Sequence, residues 1–513
     1  MSQSFQMCHA VPVLSQILRH AHDDPDRIAL AGEAGDLSYA GLARTAIALC
    51  ARLGTVPKRL PALPGPAADR IVGLVLKNGP AFLPAFLAAT APGHCALVIP
   101  PGLGDTACAE IVDAVRPDVF LCDADRLLAF AGAAPVFHAD RLATSPERAT
   151  NPLPDPEQWA GADEAAFLIG LTSGTTSTPK AFWRSRHTWL ASLALYEDVF
   201  GLTRQDSVLA PGPLAHGLAL YAAIECLFAG ATFHMVGKPT PDVLLHRISE
   251  ATVTRLVLVP TMLDDLVTRA EGKRFQNVRA VVTAGAKRHV DLAERARAVF
   301  PNARLIEYYG ASELSFVTLS TDDIAGSPTS VGRAFPGVTV SIRSAEGRDP
   351  VPDGEIGTLY VDSPYVCAGL LCGVSEGGFR RTGHWASVGD RAWRDADGTI
   401  HLAGRDGDAI NSGGNTFYAG EIEAALTTLD GIDEACVLGL PDARLGECAV
   451  AIVSGKGAVL ADPRAACAGR LPRYKVPKRF FRVASLPRTA NGKTDRKAVR
   501  ALLENAVPIL EEV

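Results

Sequence analysis

The sequence lacks most of the features that identify a function quickly. It has no Walker loop. That motif needs G-x-x-x-x-G-K-[ST], and the only Gly-Lys-Thr, Gly492 to Thr494, has Pro487 where the first glycine belongs. This excludes a P-loop nucleotide site. It has no C-x-x-C; eleven cysteines stand singly, and their number is odd. That argues against a disulfide scaffold and for buried, reduced thiols in a cytoplasmic chain. It has no long apolar run. The most apolar stretch, Ala81 to Pro101, is broken by Pro84, Pro92, Gly93 and His94, so it reads as helix, turn and strand, not as a membrane span. The start of the chain has no basic residues leading into an apolar core, so no secretory signal is expected. Excess positive charge is missing too. The net charge of −6 speaks against a general nucleic-acid binder.

What is present is a long, well-cored chain. Of 513 residues 48% are hydrophobic, and that length exceeds what one core supports, so two to four domains are expected. Short runs rich in Val, Ile and Leu recur between helical stretches such as Val290 to Val299. The runs are Arg70 to Leu76, Asp118 to Cys122, Ala165 to Leu171, Arg255 to Pro260, Arg279 to Gly285 and Arg304 to Gly310. Continuous apolar strands alternating with helices predict a parallel α/β sheet covered on both faces. Ligands of such sheets bind at the carboxyl ends of the strands. The proline-rich stretches Val56 to Pro66 and Ser145 to Trp159 read as loops. After about Pro336 the pattern turns β-rich. From Arg470 to Arg500 the chain carries eleven Lys or Arg and one acid, Asp495. Such a segment is either a solvated basic face or a lid over a polyanion.

Four stretches then stand out in order: the hydroxyl-rich "LTSGTTSTPK" from Leu171 to Lys180, "EYYGASE" from Glu307 to Glu313, "SVGDRAWRDADGTIHLAGRDGD" with "INSGGNTFYAGEIE" after it, and "RTANGK" ending at Lys493. The first directly follows a predicted strand. Their order and spacing resemble the adenylate-forming superfamily of acyl- and aryl-CoA synthetases, carrier-protein adenylation domains and luciferases. The resemblance runs from about Asp26 to Lys497 and comes closest to bacterial fatty-acyl-CoA ligases. It implies a large N-terminal α/β domain with a β-rich subdomain, residues 1–405, and a small mobile α+β lid, residues 406–513.

The resemblance also implies roles. In this chemistry a carboxylate attacks the α-phosphate of ATP and pyrophosphate leaves, so two anions must be neutralised and positioned. Thr172, Ser173, Gly174, Thr175 and Thr176 would offer donors to the β and γ phosphates, and Lys180 a positive charge. Tyr308, Tyr309 and Gly310 would hold adenine, with Glu307 also counted among the cofactor-binding residues and Gly285 and Ala286 lining the same cleft. Ser312 would touch the α-phosphate and Glu313 would hold Mg2+. Asp390 would take the ribose hydroxyls, Arg405 would reach the ribose or a phosphate, and Lys493 would stabilise the charge growing at the α-phosphate. After that step the lid would swing, withdraw Lys493 and present Ser412, Gly413 and Gly414 to a pantetheine thiol.

The acid is less sharply indicated. "PLAHGLAL", Pro213 to Leu220, corresponds to the family's segment beside the acyl pocket. It lacks the aspartate that pairs with an α-ammonium group, which disfavours an amino acid. His216 would gate the pocket or contact the carboxylate. "PKAFWRSRHTW", from Pro179, is similar to fatty-acyl-CoA ligases and favours an aliphatic acid, with an aryl acid next. Coenzyme A or the phosphopantetheine of an acyl carrier protein would accept the acyl group. Ser177, Ala181, Gly407 and Ala419 depart from the family pattern. The altered loop keeps a non-catalytic nucleotide-binding homologue open as a further reading. Oligomeric state is left open.

Overall fold

A computed structural model describes residues 13–57, 70–126, 130, 132–139, 152–159, 161–172, 180–250, 252–270, 272–288, 290–321, 327, 329–344, 347, 349–372, 378–405, 408–412, 415–442, 444–455, 463–467, 470–489, 492–504 and 511–512. The expected strands all form. Arg70–Val75, Val119–Cys122, Ala166–Thr172, Arg255–Leu258, Ala280–Ala284 and Arg304–Ala311 lie within a residue or two of the runs that predict them. So does the helix Val290–Val299. The apolar stretch after Ala81 is a helix, Phe82–Ala89, then the strand His94–Val98. Pro84 falls in the first turn of that helix, where a missing N–H costs nothing. Every residue of the helix is buried, which is why it is apolar all round.

The strands divide between two mixed sheets instead of forming one parallel sheet. The first runs Gly369–Cys372, Lys180–Ser185, Ala166–Thr172, His94–Val98, Arg70–Val75, Val119–Cys122, Val136–His138. Its last five strands are parallel, while Lys180–Ser185 runs antiparallel on both sides. The second holds the parallel block Ile28–Ala31, Thr232–His234, Ser207–Leu209, Arg255–Leu258, Ala280–Ala284 and Arg304–Ala311. It then turns antiparallel at Ser315–Ser320 and runs on through Ser330–Ala334, Ile400–Arg405 and Asp390–Arg394 into the β-rich region. Apolar patterning fixes each strand locally and says nothing of which strands are neighbours.

A third sheet starts at Ala409–Ser412 and has its own apolar core around Ile422, Val437, Ala451 and Phe480. It leans on the strand Ile400–Arg405. A β-carbon on Gly420 would stand 2.7 Å from the Ala403 carbonyl, so only glycine permits this approach. Among the described residues no helix is long and apolar enough to cross a membrane, and the nine described cysteines whose state is given are unpaired.

Candidate active site

The site forms where the carboxyl ends of both sheets meet. Thr172 and Lys180 are cross-strand partners, so the hydroxyl loop joins two hydrogen-bonded strand ends. Ser173, Gly174, Thr175, Thr176 and Ser177 lie outside the described residues, as does the side chain of Thr172. Lys180 is buried at the base of that loop.

The segment Gly310 to Ser315 is built with strain. Ala311 and Ser315 pair across a three-residue loop, with a bulge at Tyr309 and Gly310. Ser315 holds a left-handed φ of 63°, uncommon for a residue with a side chain. A β-carbon on Gly310 would meet the Ser315 carbonyl at 2.1 Å, so position 310 must be glycine. Leu314 is fully buried and anchors the loop. The result presents Ser312 exposed and Glu313 half-buried.

A residue not singled out by sequence holds this loop. Arg184 is 3% exposed. It donates from Nη1 to the Tyr365 carbonyl at 2.6 Å and from Nη2 to the Ser312 carbonyl at 2.5 Å. The Glu313 carbonyl accepts from Cys367 N at 2.7 Å. Arg184 thus ties the strand after the hydroxyl loop to the Ser312–Glu313 turn. Its signal was a charge inside an apolar strand, "KAFWRS", since such charges are rarely buried without a purpose.

Asp390 is buried, and its carboxylate is shared. Arg405 donates from Nε to Oδ1 at 2.7 Å, and the Tyr309 hydroxyl donates to Oδ2. Asp390 and Arg405 are direct cross-strand neighbours. Asp390 holds the Arg405 pKa above its ordinary value, and burial beside Asp390 pushes the Tyr309 hydroxyl up. A carboxylate has about four lone-pair positions, so acceptor capacity remains on Asp390.

Glu307 departs from its expected neighbourhood role. Its carboxylate accepts from Lys287 Nζ at 2.7 Å and Arg288 N at 2.6 Å. It therefore secures the turn Gly285–Arg288, in which Gly285 takes a φ of +89° and both Gly285 and Ala286 are exposed. Tyr308 packs edge-on to Phe200 and Phe316, on the far side of its strand from Tyr309. His216 caps the helix Gly217–Phe228 without a side-chain bond to it. Burial lowers the His216 pKa, which keeps the ring neutral at neutral pH. Asn78, also unforeseen, holds the segment before it through Gly212 O at 3.0 Å and Leu214 N at 2.8 Å.

Lys493 arrives from the third sheet's unit. Its turn is closed by Gly492 N to Thr489 O at 2.9 Å and Thr489 N to Lys493 O at 2.8 Å. Gly492, at φ +76°, lies against Val259. A β-carbon on Gly285 would be 3.5 Å from Lys493 Cε. Surrounding protein and then Arg405 lower the lysine's pKa, while Asp390 and Glu313 raise it. Lys493 is nonetheless exposed at the open cleft, so water screens much of this pull. Lys493, Gly285, Glu313, Asp390, Tyr309 and Arg405 are thus brought together. Ser412 is buried on its own strand, and no described contact joins it to that group. Gly407, Gly413 and Gly414 lie outside the described residues.

Residues 17–371 match the family model described as AMP-binding enzyme, and residues 421–493 match AMP-binding enzyme C-terminal domain. The uncharacterized acyl–CoA ligase YhfT of Bacillus subtilis is 33% identical over 95% of this chain and 97% of its own. The putative long chain fatty acid-CoA ligase VraA of Staphylococcus epidermidis is 32% identical over 65% of this chain and 70% of its own. In structure, ATP-bound MatB from Rhodopseudomonas palustris superposes with a TM-score of 0.82 at 24% identity, over 96% of this chain and 99% of that one. At that identity the likeness speaks for the fold.

Proposed function

Because the chain belongs to the AMP-binding enzyme family and is an AMP-forming acid–thiol ligase of the acyl-CoA synthetase type, we propose that it activates an aliphatic carboxylic acid as acyl-AMP and passes the acyl group to coenzyme A. The observation that carries this reading is Lys493, delivered among Gly285, Glu313, Asp390 and Arg405. Cations and open backbone at one cleft suit a reaction between two anions.

The residues present fit MgATP. Among the described residues no cluster of three His, Cys, Asp or Glu forms a metal cage. Mg2+ is usually held by one or two carboxylates together with phosphates, and Glu313, half-buried on its strained turn, is a carboxylate of that kind. The ion would draw charge off the phosphates. The spare acceptor positions of Asp390 suit ribose hydroxyls. Tyr309 and Arg405 fix the direction of that carboxylate. Lys180 and the hydroxyl loop would receive the outer phosphates. Lys493 would sit at the α-phosphate and balance the charge that gathers as the acid attacks.

For the second step, residues 406–513 would turn as a lid, carrying Lys493 out and Ser412 with its glycines in. The names borne by VraA, a putative long chain fatty acid-CoA ligase, and YhfT, an acyl–CoA ligase, support an aliphatic acid and coenzyme A. The absence of an acidic side chain from Pro213 to Leu220 disfavours an α-amino acid. ATP–pyrophosphate exchange across a panel of carboxylic acids tests the first step. Mass spectrometry of the thioester, with coenzyme A and a pantetheinylated carrier protein as rival acceptors, tests the second. Exchange with no acid at all sinks the reading.

A further inference from the structure

The basic segment Arg470 to Arg500 turns part of its charge inward. Lys475 pairs with Glu421, Arg488 with Glu434 and Arg496 with Glu423. Two of these arginines flank the turn that carries Lys493. Arg488 donates from Nη1 to the Gly492 carbonyl at 3.0 Å and from Nη2 to Glu434 at 2.5 Å. Arg496 opens the helix Arg496–Glu504, just beyond Lys493. Asp495 joins turn and helix. Its N–H donates to the Pro487 carbonyl at 2.8 Å, and its Oδ1 accepts from Lys497 N at 3.1 Å and Ala498 N at 3.0 Å. That leaves little backbone freedom between Lys493 and Arg496.

The Arg496 guanidinium is engaged on three sides. Nη1 donates to Glu423 Oε1 at 2.5 Å, and Nη2 donates to the Val437 carbonyl. Nε is buried, has no hydrogen-bond partner among the described residues, and faces Asp408 Oδ1 at 3.4 Å. These partners differ in place. Glu423 and Val437 lie inside the third sheet's unit, where Glu423 Oε1 also accepts from Val437 N at 2.7 Å. Asp408 stands at that unit's border, shortly after Arg405, which ends its strand bonded to Asp390. Holding the unit together needs only the first two contacts. The third links the lysine's turn to the border where the large unit begins. A planar guanidinium can meet these three directions at once, whereas an ammonium on a flexible stem cannot.

We propose that Arg496 is a positioning residue for Lys493, which it sets in the cleft by bracing the lysine's turn on Glu423 and on Asp408 at the border. This rests on the ligase reading above and deepens it. Arg496 touches neither ATP nor the acid and acts through Lys493. The border is also where the lid of residues 406–513 would turn. Rotation of the backbone there moves Asp408 against Arg496, while the grip on Glu423 travels with the lid. The Asp408 contact therefore belongs to the arrangement that has Lys493 in the cleft.

The two half-reactions, measured separately, provide the test: ATP–pyrophosphate exchange with an acid the wild type accepts, and transfer from presynthesised acyl-adenylate to coenzyme A. A reacting group misplaced by about 1 Å can cost on the order of 10²-fold. Arg496→Gln should lower exchange by about that much and leave transfer nearly unchanged. Arg496→Lys keeps the charge beside Glu423, loses the fork, and should recover part of the rate. Asp408→Asn should cause a smaller loss of the same kind. In a Lys493→Ala background, Arg496→Gln should remove less than about a further twofold, because residues that act through one another are not additive. A loss shared equally by both half-reactions, or one that persists in full beside Lys493→Ala, makes Arg496 a fold residue and overturns the proposal. If urea unfolding shows that Arg496→Gln does not fold, Asp408→Asn, alone and with Lys493→Ala, decides by the same two criteria. A wild type that exchanges with no acid sinks the ligase reading and this role with it. A wild type that exchanges, while Arg496→Gln and Asp408→Asn leave exchange intact, overturns this role alone.

Discussion

The cleft has two walls of different make. One is built on strands. Asp390 and Arg405 are cross-strand partners, Tyr309 comes from a third strand, and Arg184 pins the Ser312–Glu313 turn from below. The other is a single lysine on a turn. Lys493's turn meets the large unit through Gly492 against Val259 and a 3.4 Å bond from Thr261 Oγ1 to Gly492 O. The first wall is preorganised by backbone pairing and buried polar bonds. The second is delivered by a unit with its own core. If the proposed roles hold, the comparison predicts that nucleotide recognition and charge stabilisation are separable here.

The largest effect should come from the delivered wall. Lys493→Ala removes the only cation the C-terminal unit brings to the cleft among the described residues. Loss of one transition-state charge partner is worth about 10²–10³-fold in rate, and adenylate formation should fall by at least that much. Transfer from presynthesised acyl-adenylate to thiol should fall far less. Equal losses in both half-reactions, measured separately, would erase the distinction between the walls.

Next comes Glu313→Gln, on the strand-built wall. It keeps size and loses charge. Adenylation should drop about 100-fold, the low end of what a single electrostatic partner supplies, and the Mg2+ concentration for half-maximal rate should rise. A normal rate with unchanged Mg2+ dependence removes Glu313 from the site.

Arg184→Met attacks the support under that wall. It removes the donor to the buried Tyr365 carbonyl and to the part-buried Ser312 carbonyl; one orphaned buried group costs about 1–3 kcal/mol, so urea unfolding should show a loss of roughly that size. The loosened Ser312–Glu313 turn should also raise KM for MgATP. A stability loss with no change in KM would make Arg184 a fold residue only.

The strand-built wall was the more legible in sequence, within limits that particular residues explain. Asp390, Tyr309 and Glu313 sit in compact local patterns, and the strands that carry them announce themselves by apolar runs. Arg184 escaped notice because its partners, Ser312 and Tyr365, lie more than 120 residues away. Glu307 was placed with the nucleotide because it adjoins "YYG". Only the parallel pairing of its strand with Ala280–Ala284 reveals its bonds to Lys287 and Arg288. The reach of Arg496 to Glu423 and Asp408 is likewise a tertiary fact.

The smallest effect is one of pH, and it couples the two walls directly. Surrounding protein, then the charge of Arg405, hold the Lys493 pKa below its ordinary 10.5. A lysine with a folded pKa below its unfolded one is disfavoured when protonated. It costs stability at low and neutral pH, and that cost is relieved as pH rises through the depressed value. On the proposed role of Lys493 activity runs the other way, because its ammonium charge would sit at the α-phosphate. Adenylation should therefore decline on the alkaline side at a pH below 10.5, while thiol transfer, with Lys493 withdrawn, should lack that limb. Arg405→Met removes the main cation acting on Lys493 and should move the limb upward, even as it lowers the rate by freeing Asp390. The apparent pKa is read from the shape of the profile, so the lower rate does not obscure it. A limb unmoved by Arg405→Met, or one shared by both half-reactions, would mean that Lys493 and Arg405 do not face each other across the cleft when the acid is activated.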